Sequence, residues 1–105
     1  MRMLMRVSIP VEAGNHAART GTLGSTMQKI LETIKPEAAY FAEDNGEHTG
    51  FIFFNMEKSS DLPAVAEPWF LAFNAAVEIV PAMKPEDLSK AEPHIKKAAK
   101  KYGGR

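Results

Sequence analysis

Gly50-Phe51-Ile52-Phe53-Phe54-Asn55-Met56 is the stretch that decides the fold. Side chains alternate between faces in an extended strand, so Phe51 and Phe53 point one way and Ile52, Phe54 and Met56 the other. A strand that is apolar on both faces needs cover on both. Just upstream, Asp44-Asn45-Gly46-Glu47 carries the Asn-Gly signal of a tight turn. This predicts a hairpin of two strands, Ala38 to Glu43 and His48 to Glu57.

Before the hairpin, Met3, Met5, Val7 and Ile9 alternate with Leu4, Arg6 and Ser8, which predicts a strand closed by Pro10. Apolar positions then recur at helical spacing from Glu12 to Ile34, interrupted by Gly14, Gly21 and Gly24. Two helical pieces follow from this, one near residues 12 to 19 and one from residue 22 or 25 to 34. Ser25 and Gln28 have the spacing of a capping box, and Pro36 stops the helix. After the hairpin, Ser59-Ser60-Asp61 caps a helix through Phe73, with Pro63 in its first turn and Pro68 expected to bend it. Ala75 to Met83 is a fourth strand. Pro85-Glu86-Asp87 opens a helical tail that Pro93 restarts and Gly103 ends.

Strand, helix, strand, strand, helix, strand is an α+β order. Right-handed crossovers around one hairpin make it a ferredoxin-like βαββαβ sandwich, with a four-stranded antiparallel sheet and helices on one face. Residues 1–83 form that domain and residues 84–105 a basic helical tail. With 105 residues, 45% of them hydrophobic, one domain is sufficient. Its helices cover one side of the sheet. The other side is left for a second subunit, a ligand or a nucleic acid, and the notional open face is Ile52, Phe54 and Met56.

Thirteen basic and thirteen acidic residues cancel, so no global field draws the chain toward phosphate. The charge is unevenly placed, however. Lys84 to Arg105 holds seven basic and three acidic residues, net +4, leaving the first 83 at net −4. The absence of cysteine excludes disulfides, thiolate metal sites and cysteine nucleophiles. Arg2 and Arg6 interrupt the first ten residues and no run reaches membrane-spanning length, so the expected compartment is the cytoplasm.

Thr49-Gly50-Phe51-Ile52-Phe53-Phe54-Asn55-Met56 resembles the third-strand signature of the RNA-recognition motif at Gly50, Phe51 and Phe53. It departs at Thr49, Ile52 and Met56, and the first strand lacks the partner aromatic, so no nucleic acid is expected. A broader resemblance covers residues 1 to about 83, whose length and element order are similar to the dimeric α+β barrel superfamily. More narrowly, residues 7–15 (Val-Ser-Ile-Pro-Val-Glu-Ala-Gly-Asn), 35–41 (Lys-Pro-Glu-Ala-Ala-Tyr-Phe) and 66–74 (Ala-Glu-Pro-Trp-Phe-Leu-Ala-Phe-Asn) resemble a family of uncharacterised small bacterial proteins. The superfamily resemblance implies pairing of two sheets, open face to open face. It carries over no catalytic assignment and no cofactor.

Five residues are candidates for a ligand site: Arg6, Tyr40, Trp69, Phe73 and Glu78. Arg6 and Glu78 lie mid-strand on adjacent strands, where a buried structural pair is the simplest account. The functional account makes Arg6 an anchor for an anionic ligand and Glu78 its orienter or a base. Trp69, Phe70 and Phe73 are first a core stripe, though with Tyr40 they have the makings of an aromatic pocket between sheet and helices. Glu12 and His16 share a helix face, but two ligands fall short of a metal site, and no metal is expected. The tail stripe Ile95, Ala98, Ala99 and Tyr102 is too narrow for membrane binding and suits docking on protein. The function expected is a homodimeric module binding a small organic molecule; the alternative is a cofactor-free monooxygenase or isomerase of the barrel type.

Overall fold

The structure is a computed structural model and describes residues 1–104. It contains β1 (Arg2–Ile9), α1 (Val11–Arg19), α2 (Leu23–Ile34), β2 (Ala38–Asp44), β3 (Glu47–Asn55), a 3₁₀ turn (Ser59–Asp61), α3 (Leu62–Phe73), β4 (Ala76–Pro81) and α4 (Pro85–Tyr102). All pairings are antiparallel and the strand order is β2-β3-β1-β4, the ferredoxin-like arrangement. The hairpin turns where the Asn-Gly pair predicts, with Asn45 at φ 56° and Gly46 at φ 77°. Two successive positive φ values give a turn whose twist matches that of the strands.

Helix ends follow local chemistry. α1 stops at Thr20 and the chain reverses through Gly21, with the Thr20 and Thr22 hydroxyls 2.9 Å apart. Thr22, not Ser25, is the N-cap of α2, and the Ser25 hydroxyl instead donates back to the Thr22 carbonyl at 3.2 Å. α2 and α3 end on left-handed residues, Lys35 and Asn74. Pro93 does not restart the tail. α4 is continuous from Pro85 to Tyr102, its N-terminus closed by the Lys84 N–H donating to Asp87 at 2.9 Å.

The sheet face that is covered is the reverse of the one expected. Ile52, Phe54 and Met56 are buried with Met3, Met5, Val7, Ile9, Ile30, Trp69 and Phe73 in one core beneath α1, α2 and α3. Phe51 and Phe53 lie on the open face and are only half-buried. The register supplies the reason. Met5 pairs with Ile52 and Met3 with Phe54, and directly opposed residues share a face. The apolar face of β1 and the Ile52–Phe54 face of β3 are therefore one surface, and the helices cover it.

Candidate functional site

The register arranges the open face as rows across the sheet. Tyr40, Phe51, Arg6 and Glu78 stand in one row, each opposite the next on β2, β3, β1 and β4. On one side lies an apolar row, Ala38, Phe53, Leu4 and Val80. On the other lies a row of small residues, Ala42, Thr49, Ser8 and Ala76, bounded by Asp44 and Glu47 at the hairpin. Ser8 and Thr49 in this last row are 8% and 2% exposed, and the Thr49 hydroxyl donates to the Glu47 carbonyl at 3.1 Å.

Arg6 is the centre of this face. Its Nη2 donates to Asp44 of β2, and its Nη1 lies 3.5 Å from Glu78 Oε1 on β4. The hydrogen bond to Asp44 holds the guanidinium pKa above its ordinary value, with the Asp44 and Glu78 charges adding to the effect. To reach Asp44 the guanidinium passes over Thr49, which is 2% exposed although no helix covers that face. The expected buried Arg6–Glu78 pair is corrected here. The side chains are 32% and 71% exposed, and Asp44 is the closer partner. Exposed pairs of this kind contribute little to stability.

The five candidate residues do not converge on one cavity. Arg6, Tyr40 and Glu78 share the open face, where Tyr40 is largely exposed. Trp69 and Phe73 lie beyond the sheet on the helix side, 0% and 3% exposed, with ring centroids 6.2 Å apart. The space between sheet and helices around Trp69 is packed core. Its indole N–H is buried without a hydrogen-bond partner among the described residues. Phe73 also borders a cleft of about 630 Å³ between α1, α2 and the end of α3, which contains Glu12 and His16. No three metal-ligating side chains cluster among the described residues.

Sequence reading missed Asp44, Ser8 and Thr49. Asp44 continues the alternation Tyr40, Ala42, Asp44 on one face, a signal hidden by assigning it to the turn. A second open-face cluster lies at the far end of the sheet. Arg2 Nε donates to Glu37 Oε1 at 2.5 Å, holding the Glu37 carboxyl below the usual carboxylate range.

No family model matches the chain, and no curated protein does. Among solved structures it is similar to a formyltetrahydrofolate deformylase from Pseudomonas putida KT2440, with a TM-score of 0.50 and 12% identity, over 78% of this chain. The chain spans only 29% of that protein. At that identity the likeness supports the ferredoxin-like fold and nothing about activity. Among the described residues no helix is long and apolar enough to cross a membrane.

Proposed function

We propose that the chain is a homodimeric binding module whose two open sheet faces meet and hold a small organic molecule between them. The observation that carries this reading is the row Tyr40–Phe51–Arg6–Glu78 lying uncovered beside the apolar row of Leu4, Phe53 and Val80. An aromatic and aliphatic surface of this kind on a soluble domain marks a contact site. Face-to-face pairing of such sheets is also what the barrel resemblance implies. A few convergent polar groups beside an apolar wall are the usual make-up of a ligand site.

The ligand class follows from the row. Phe51 and Tyr40 offer aromatic surface, and Arg6 offers a guanidinium able to exchange its carboxylate partners for an anionic group. A small aromatic acid fits both. The pairing of Arg6 with Asp44 and Glu78 favours binding over catalysis, because an enzyme of the cofactor-free type needs free acid–base groups in its cavity. Native mass spectrometry of the purified protein tests the reading. A dimer carrying added mass of a few hundred daltons or less is the expected result, and a monomer under conditions that preserve weak assemblies overturns it.

A further inference from the structure

α4 has no buried residue, and the molecule measures 59 Å along its longest axis against 28 and 21 Å across. An 18-residue helix is about 27 Å long, so α4 stands out from the domain as an arm. Such a helix is marginal by itself in water, and the interior Pro93 weakens it by roughly a further 3 kcal/mol. It needs a surface to lie on. Leu88, Ala91, Ile95, Ala98 and Tyr102 recur at alternating spacings of three and four, forming one apolar stripe. Lys101 flanks it on one side; on the other, Lys96 stands beside Glu92, with which it pairs at 3.4 Å.

A matching surface exists at the β2 edge of the sheet. Leu23 and Met27 of α2 and Phe41 of β2 line a groove of about 340 Å³. It continues past Glu43 and His48 into a smaller hollow beside Val11 and Glu47. Phe41 and Val11 are both about half exposed. The Phe41 ring lies so close over Gly50 that a Cβ there would stand 3.0 Å from Cε1, so the ring forms the floor of the groove and cannot sink further. The groove is apolar with Glu43 and Glu47 on its border, while the tail that carries the helix is apolar on one stripe and net basic.

The chain's own α4 starts at the opposite corner of the sheet. β4 is the far edge strand from β2, and the Ala82 N–H donates to the Arg2 carbonyl at 3.1 Å. The arm thus leaves from the Arg2 end, whereas the groove lies at the His48 end, where His48 pairs with Ile9. Only the three residues 82–84 separate β4 from α4.

We infer that α4 is an exchanged arm. Its Leu88–Ile95–Tyr102 stripe occupies the α2–β2 groove of a second copy, with Lys96 and Lys101 against that copy's Glu43 and Glu47, and the partner returns the contact. A reciprocal exchange closes as a two-fold dimer. The net +4 arm facing a net −4 domain favours this over arm-to-arm pairing, where like charges meet. The inference goes beyond the pairing of open faces and stands without it.

The absence of native cysteine makes the test direct. Full-length Phe41→Cys and Ile95→Cys proteins are mixed and oxidised. A disulfide-linked heterodimer at least tenfold more abundant than the homodimers of either variant alone is expected. Cross-linking confined to a single chain carrying both substitutions, homodimers of Ile95→Cys alone, or no cross-link in the mixture each overturns the exchange. A charge swap adds a second readout: Glu43→Lys should lower heterodimer yield several-fold, and Lys96→Glu on the arm should restore it. Loss without restoration counts against the proposed register.

Discussion

The two faces of this sheet both carry aromatic and aliphatic side chains, but the helix-covered face carries more of them and nothing charged in its centre. The helix-covered face carries Met3, Met5, Val7, Ile9, Ile52 and Phe54, all 5% exposed or less. The open face interleaves Leu4, Phe51, Phe53 and Val80 with Arg6, Glu78, Ser8 and Thr49. Apolar content alone does not tell core from contact surface. What separates the faces is that the open one carries charged residues among the apolar ones, with Arg6 opposite Glu78 and reaching diagonally to Asp44.

Substitutions of equal size on the two faces should therefore diverge sharply. The largest effect is expected for Phe54→Lys, which places an unpaired ammonium in a site 1% exposed. The chain should fail to fold, seen as loss of the cooperative transition in circular dichroism. Phe53→Lys, one residue away, should fold normally and weaken the proposed open-face pairing, read as a lower mass at sedimentation equilibrium. Unfolding by Phe53→Lys would break the comparison. Next comes Trp69→Ala, expected to lower stability by about 3–5 kcal/mol in urea unfolding, against less than about 1 kcal/mol for Tyr40→Ala. Gly46→Ala at φ 77° should lower stability by about 1 kcal/mol and loosen both faces equally, since it acts on the turn.

The smallest effect concerns pH. Arg2 depresses the Glu37 carboxyl, so the pair's contribution is present above the ordinary carboxylate range near 4.3 and is lost as pH falls through the lowered value. The difference in urea midpoint between the native chain and Glu37→Gln should be measurable at pH 6 and vanish near pH 2. A difference that persists at low pH would assign the effect to packing rather than charge.

Much of the architecture is legible in the chain. The turn at Asn45-Gly46, the helix stop at Pro36 and the Pro85 start are local signals, and local signals survive folding. The identity of the covered face was not legible from Gly50–Met56, because it depends on which residue of β1 stands opposite Ile52. That register is a long-range fact set by Met5 and Met3. The same gap explains the site. Arg6 and Glu78 are readable as neighbours from strand order alone, whereas the contact from Arg6 to Asp44 requires knowing how far β2 extends. Trp69 and Phe73 are aromatic at helical spacing in both a core stripe and a pocket wall, and only packing distinguishes them.

The projecting arm also changes how the molecule moves in solution. A compact chain of 105 residues has a radius of gyration of about 13 Å, whereas this one has 17.4 Å, the value for a compact chain of roughly 230 residues. An extended single chain thus has nearly the radius of gyration of a compact particle of twice its mass. An exchange of the kind proposed, with the arms folded in, would double the mass while changing the radius of gyration little, so scattering intensity is the more direct readout of it.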